Sequence, residues 1–151
     1  FGIPYRPQQK ALNLTQVGGA MSQRFQEFCH TYGKSLTMKL EPGRFLAAPA
    51  IQLHATILLA YDNNLIIDCS VFNTAMDTFV VHNKLHIQGE LEKGTPYTIK
   101  GRTPDSMDIF RYRCYLENPQ IGDTLIFENA GAYNYATDFC GLEKIPTEVK
   151  E

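Results

Sequence analysis

The sequence is poor in the features that identify a class at sight. No two of its four cysteines form a CxxC pair; Cys29, Cys69, Cys114 and Cys140 stand far apart. Small secreted domains held by disulfides carry a denser set, so the spacing points to reduced thiols and a cytoplasmic protein. Long hydrophobic runs are missing too. Near the middle, Ile57 to Ala60 is the extent of one, where a bilayer-spanning helix needs about 20 apolar residues. Neither charge sign dominates, with 14 Lys and Arg against 16 Asp and Glu. That balance excludes a basic nucleic-acid surface and a polybasic membrane anchor. There is no GxSxG, no P-loop, no HExxH, no internal repeat and no biased linker. The first residue is Phe1 rather than methionine, and no signal peptide is expected. A chain opening on Phe-Gly is expected to be a piece of a longer polypeptide.

What is present is enough for one domain. The 151 residues are 44% hydrophobic and 20% charged, and a chain of this length buries roughly 70% of its unfolded surface. Residues 1–12 hold Gly2, Pro4 and Pro7 and read as a loop. Leu14, Val17, Met21, Phe25 and Phe28 then recur in steps of three and four, which predicts a helix over 14–32. Asn13 or Thr15 can cap its start, and Gly33 stands where a left-handed C′ residue is wanted. Gly18-Gly19 weakens its first turns and suggests close packing against a neighbour. Beyond Gly33 the pattern predicts strands: Ser35 to Leu40, Ala47 to Tyr61, Leu65 to Ile67, Thr78 to His82, Lys84 to Gln88, Tyr97 to Lys100, Ile109 to Leu116 and Thr124 to Glu128. Asp62-Asn63-Asn64 reads as a turn between two of them. Short strands at this spacing predict a mainly β, α+β chain built on an antiparallel barrel or sandwich. The helix with its single strand is an incomplete layer by itself.

Four segments offer chemistry. Glu41-Pro42-Gly43-Arg44 ends a predicted strand. Glycine lets backbone approach an anion, arginine grips phosphate with two parallel bonds, and a preceding carboxylate can hold a cationic ring nitrogen. Taken alone, these four residues read more readily as an ordinary Pro-Gly turn with a solvated arginine. Asp68 closes the apolar strand Leu65-Ile66-Ile67, as a strand-end cap or a ligand for a cation. Gly101-Arg102-Thr103-Pro104-Asp105-Ser106-Met107-Asp108 places two acids three apart in a loop of turn formers. Gly131-Ala132-Tyr133 comes after a strand, either as a turn with a core tyrosine or as part of a site. His82 and His86 fall in predicted strand and share no helical face, so they do not read as metal ligands.

In this order the pieces resemble a family, the fold-type III, pyridoxal-phosphate-dependent decarboxylases of ornithine, diaminopimelate and arginine. Phe1-Gly2-Ile3-Pro4-Tyr5 is similar to the segment just after that family's glycine-rich loop, and Glu41-Pro42-Gly43-Arg44 matches its EPGR signature. Leu65 to Phe72 resembles the strand of its Asn-Asp-Gly turn. Gly101 to Asp108 matches its G-P-T-C-D-S-x-D pattern, and Ile121-Gly122-Asp123 with Asn129 to Tyr133 its GD…xAGAY signature. Phe139-Cys140-Gly141 stands where the family has Phe-Asn-Gly. The resemblance implies that residues 1–46 are the end of a pyridoxal-phosphate-binding (β/α)8 barrel, its last helix–strand unit. Residues 47–151 would be the β-domain of the decarboxylase. It implies that Glu41 pairs with the pyridine nitrogen of pyridoxal 5'-phosphate, and that Gly43, Arg44 and Tyr133 hold its phosphate. Asp68 then meets the distal ammonium of a diamino-acid substrate, and Asp105 reaches the same ammonium from the other subunit of a homodimer.

The sequence departs from the pattern at three places. Pro104 occupies the position of the family's cysteine, the expected proton donor, and proline has no proton to give. Cys69 and Cys140 replace a glycine and an asparagine, as substitute acids or as small buried thiols. Arg102 replaces a proline of the substrate loop. The lysine that holds the family's cofactor belongs to an earlier part of the barrel, and no lysine of this chain lies in a similar segment. The expected function is therefore the C-terminal part of a decarboxylase acting on a basic or diamino acid, incomplete without the lysine-bearing barrel. The alternative is a non-catalytic relative that keeps the fold and regulates a partner.

Overall fold

The computed structural model describes residues 2–6, 8–134 and 138–150. Phe1, Pro7 and the side chain of Cys140, each named above from the sequence, lie outside the described residues. Helix α1 spans Leu14–Tyr32, with the Asn13 side chain accepting from the Gln16 amide and Gly33 closing it at φ 71°. Both ends follow from local chemistry: an Asx oxygen for an orphan amide, and a residue without Cβ for the left-handed turn. The helix nevertheless buries no residue. Gly18 and Gly19 face open space, so the expected close packing is not met among the described residues. Residues 35–41 are exposed and form no strand; a strand needs a neighbour to take its backbone bonds.

From Gly43 the chain condenses. Helix α2 is the short turn Gly43–Ala47, continued by one 3-10 turn to Ala50. The predicted strand from Ala47 therefore starts late, as β1, Leu53–Tyr61. Strand β2 is Asn64–Ile67, β3 Pro96–Lys100, β4 Ile109–Tyr115 and β5 Thr124–Phe127. They form one five-stranded sheet in the order β4-β3-β2-β1-β5. The sheet is mixed rather than antiparallel throughout, because β2 and β3 run parallel. The long stretch between them, helical in part, makes that crossover possible. The β1–β2 hairpin turns on Asp62 and Asn63, both at positive φ (43° and 61°), which suits the twist of a two-residue turn.

Leu53, Ala55 and Ile57 of β1 alternate inward and are buried, as are Leu65, Ile67, Ile99, Phe110, Leu125 and Phe127. The alternation of β1 ends at a bulge between Ile57 and Leu59, beyond which its residues are exposed. Tyr5 joins this core from the N-terminal segment, and Ile3 packs against it. The segment 78–82, expected as a strand, is helix α4, Met76–Val81, behind the single turn α3, Val71–Thr74. Ser70 and Asn73 start α3 with a buried capping box. Val80 and Val81 find no sheet to join and stay exposed, while the Thr78 and Phe79 amides close helical turns onto Ala75. Residues 84–88 run beside β5 with a single bridge, Ile87 to Phe127, instead of forming a full strand. Buried Arg111 pairs with half-buried Glu90 and donates to the Leu85 carbonyl of this segment (2.9 Å). Cys29, Cys69 and Cys114 are free thiols.

Candidate cofactor and substrate site

Two distant motifs meet around Arg44. Gly131 sits so close to the end of α2 that a Cβ there would lie 1.9 Å from the Ala47 carbonyl oxygen. Its amide donates to the Ala48 carbonyl (3.1 Å), and the Ala130 amide to Ile51 (2.9 Å). Only glycine allows that approach. The contact carries Tyr133, held at φ 61°, over α2, and its ring lies 5.0 Å from the Arg44 guanidinium carbon. Tyr133 is 69% exposed, so the stacked pair opens to the surface.

The other side of Arg44 is fully engaged. Its Nη1 donates to Asp77 Oδ2 (2.5 Å) and Tyr5 Oη (2.5 Å), and its Nη2 to Asp77 Oδ1 (2.9 Å). Asp77 is held in turn by the Asn83 amide, and its own backbone N–H donates to Asn134 Oδ1 (2.9 Å). Burial pushes the Asp77 carboxyl up, but the bonds from Arg44 and Asn83 outweigh it, and the carboxyl sits below its usual range. The same ion pair raises Arg44. Burial raises the Tyr5 hydroxyl more than Arg44 lowers it, so Tyr5 remains a phenol with a proton to donate. One guanidinium with an uncommitted edge and two phenols form a donor set that fits a phosphate monoester. Glu41 is exposed, two residues ahead of α2, and its carbonyl takes the Gly43 amide (2.8 Å).

A second cluster surrounds the acids. Asp68 pairs reciprocally with Thr56: its amide donates to the Thr56 carbonyl (3.1 Å), and Oδ1 accepts from the Thr56 amide (3.0 Å). The strand-end cap is thus what this carboxylate does among the described residues. Asp105 is exposed and accepts from the Met107 amide (2.8 Å). The two acids belong to one connected unit, because the Arg102 amide donates to the Cys69 carbonyl (2.9 Å). No hydrogen bond among the described residues joins Glu41, Asp68 or Asp105 to Arg44. Cys69 is 1% exposed, and burial pushes its thiol up to about 12. It keeps its proton, but inside the core, where it packs as a small apolar residue. His86 is bonded to Glu128 (2.9 Å). No cluster of three metal-binding side chains exists among the described residues. No described helix is long and apolar enough to cross a membrane.

Tyr5, Asp77, Asn83, Asn134 and Asp108 belong to these clusters, and the sequence pattern assigns none of them a role. Asp77 stands beside a segment of strand propensity, where no signal marks it. Asp108 lies inside a recognised motif, and its spacing from Gly101 and Thr103 is the available clue.

Comparison with known proteins bears on the fold and the family. Residues 52–131 match the family described as pyridoxal-dependent decarboxylase, C-terminal sheet domain. A diaminopimelate decarboxylase from Methanothermobacter thermautotrophicus is 29% identical over 144 residues, covering 90% of this chain and 33% of that protein. A chloroplastic ornithine decarboxylase from Nicotiana glauca is 30% identical over 137 residues, covering 80% of this chain and 30% of that protein. In fold, the chain is similar to the crystal structure of diaminopimelate decarboxylase from Helicobacter pylori complexed with L-lysine. The TM-score is 0.74 at 23% identity, over 91% of this chain and 34% of that one. The chain spans about a third of the length of these relatives.

Proposed function

The chain belongs to the pyridoxal-dependent decarboxylase family, whose C-terminal sheet domain residues 52–131 match, and from that premise we propose that it completes the active site of a decarboxylase acting on a basic or diamino acid. Residues 1–46 belong to the barrel side of that enzyme and residues 47–151 to the sheet domain. The enzyme is a cytoplasmic homodimer whose sites are shared across the two-fold axis.

The observation that carries this reading is the meeting of Arg44 and Tyr133, with the ring 5.0 Å from the guanidinium carbon. Arg44, Tyr133 and the Gly43 backbone hold the phosphate of pyridoxal 5'-phosphate, with the Tyr5 hydroxyl nearby. Asp77 locks the guanidinium plane so that its uncommitted N–H groups face the anion. Glu41 accepts a hydrogen bond from the protonated ring nitrogen and keeps that proton in place. Bound, the cofactor supplies an electron sink for the charge left when CO₂ departs. Asp105, exposed on its loop, meets the terminal ammonium of the substrate across the dimer. Asp68, with one oxygen committed to Thr56, offers the other to the same ammonium. Pro104 contributes no proton.

The test is the cofactor affinity of the full-length protein. Arg44→Ala is expected to weaken binding by about 1.5–3 kcal/mol, the range for hydrogen bonds to a charged group. Arg44→Lys restores only part, since a point charge lacks the fork. Affinity unchanged by Arg44→Ala would return this segment to an ordinary capped turn.

A further inference from the structure

We infer that Asp108 is a positioning residue that aims Asp105 at the substrate ammonium; this rests on the role proposed for Asp105. Asp108 is 1% exposed, and a carboxylate is kept in such a place only when donors surround it. Its Oδ1 accepts from the Val71 amide at the start of α3 (2.9 Å). Its Oδ2 accepts from the Thr103 amide (3.1 Å) and the Thr103 hydroxyl (2.7 Å). The backbone repeats the pattern. The Asp108 amide donates to the Asp105 carbonyl (3.1 Å), and the Gly101 amide to the Asp108 carbonyl (2.8 Å).

Pro104 and Asp105 therefore hang between two anchors made by one residue. The carboxylate fixes the loop before them, and the amide fixes it after. The proline ring, locked in φ, removes freedom from the two-residue span that remains. Gly101 makes room for the device: a Cβ there would lie 2.1 Å from Asp108 Oδ1. Through Val71 the same carboxylate ties the loop to the turn after Asp68. Asp68 and Asp105 each commit one carboxylate oxygen to a backbone amide, of Thr56 and of Met107, and no hydrogen bond among the described residues joins the two. Asparagine at 108 keeps one acceptor oxygen and turns an NH₂ toward a donor, so one of the two anchors opens.

The experiment uses the full-length protein and two probes, a linear α,ω-diamine and the monoamine of equal chain length, with calorimetric Kd values. The diamine-to-monoamine affinity ratio reads the ammonium contact alone. Asp105→Ala is expected to lower that ratio about tenfold or more, and Asp108→Asn by about fivefold or more. Amide exchange at 103–107 should quicken in Asp108→Asn. Should that variant fail to fold, Thr103→Val removes one bond to the carboxylate and is expected to lower the ratio about twofold. A lowered ratio in Asp105→Ala beside an unchanged ratio in the folded Asp108→Asn, or in Thr103→Val when it stands in, overturns this inference and leaves the Asp105 role standing. A ratio unchanged by Asp105→Ala overturns both.

Discussion

Residues 12–42 and residues 53–130 are built from the same apolar vocabulary and end in opposite states. The first stretch carries Leu14, Phe28, Tyr32, Leu36, Met38 and Leu40, each between 38% and 57% exposed. The second carries Leu53, Ile57, Ile67, Ile99 and Phe127, none above 8%. Both have sound local chemistry, since α1 is capped at each end and β1–β2 turns on two residues suited to positive φ. The difference is the partner layer. Helix and strand form where period and caps direct, but burial needs a second surface, and only the sheet domain holds both of its own. Among the described residues the face of α1 and the segment after it are left without a second layer.

The sharpest way to break this contrast is to remove the same ring from each region. Phe127→Ala opens a cavity beneath Phe110, whose ring centroid is 5.3 Å away, and is expected to cost about 3–5 kcal/mol. Phe28→Ala, in a residue 54% exposed, is expected to cost about 0.5 kcal/mol or less in the same chain. Urea unfolding of the two variants decides it. Equal losses would mean that α1 is packed after all.

Smaller is the effect at Asp77, which ties α4 to Arg44 and, through Arg44, to Tyr5. Its folded carboxyl lies below the usual value, so its contribution is complete above the unfolded value of about 3.9 and is lost as pH falls through the folded one. Asp77→Asn should cost about 1–3 kcal/mol at neutral pH and flatten the acid limb of the stability curve. An acid limb identical to the parent's would place the linkage elsewhere.

Legibility divides along the same line. The bounds of α1, its caps, the Asp62-Asn63 turn and strands β2 to β5 stand in the periodicity and the turn residues. Helix α4 does not. Thr78 to Val81 has strand propensity, and tertiary anchoring of Asp77 to Asn134 and Arg44 overrides it. The parallel β2–β3 pairing is equally hidden, because it depends on the route of the chain between two strands rather than on either strand. Of the site, Arg44 and Tyr133 are readable as motifs, and their contact depends on a glycine approach that spacing does not encode. Asp108 is in view without a role, since a carboxylate aimed inward looks in sequence like one aimed at water.

The smallest change expected is at Cys69, buried beside Asp68. Cys69→Ser in the full-length enzyme should leave product partition between amine and any side product unchanged, because its thiol stays in the core. A shift in partition would identify it as the proton donor that Pro104 cannot be.

The most direct test of decarboxylation is CO₂ release by the full-length protein supplied with pyridoxal phosphate and, in turn, ornithine, lysine, arginine and diaminopimelate. The expected result is release from at least one of them, with one amine formed per CO₂, and a fall of about tenfold or more in kcat/KM for Asp105→Ala. Tight cofactor binding with no CO₂ from any of the four would contradict the proposed reaction and leave a protein that keeps the fold and the phosphate site without it.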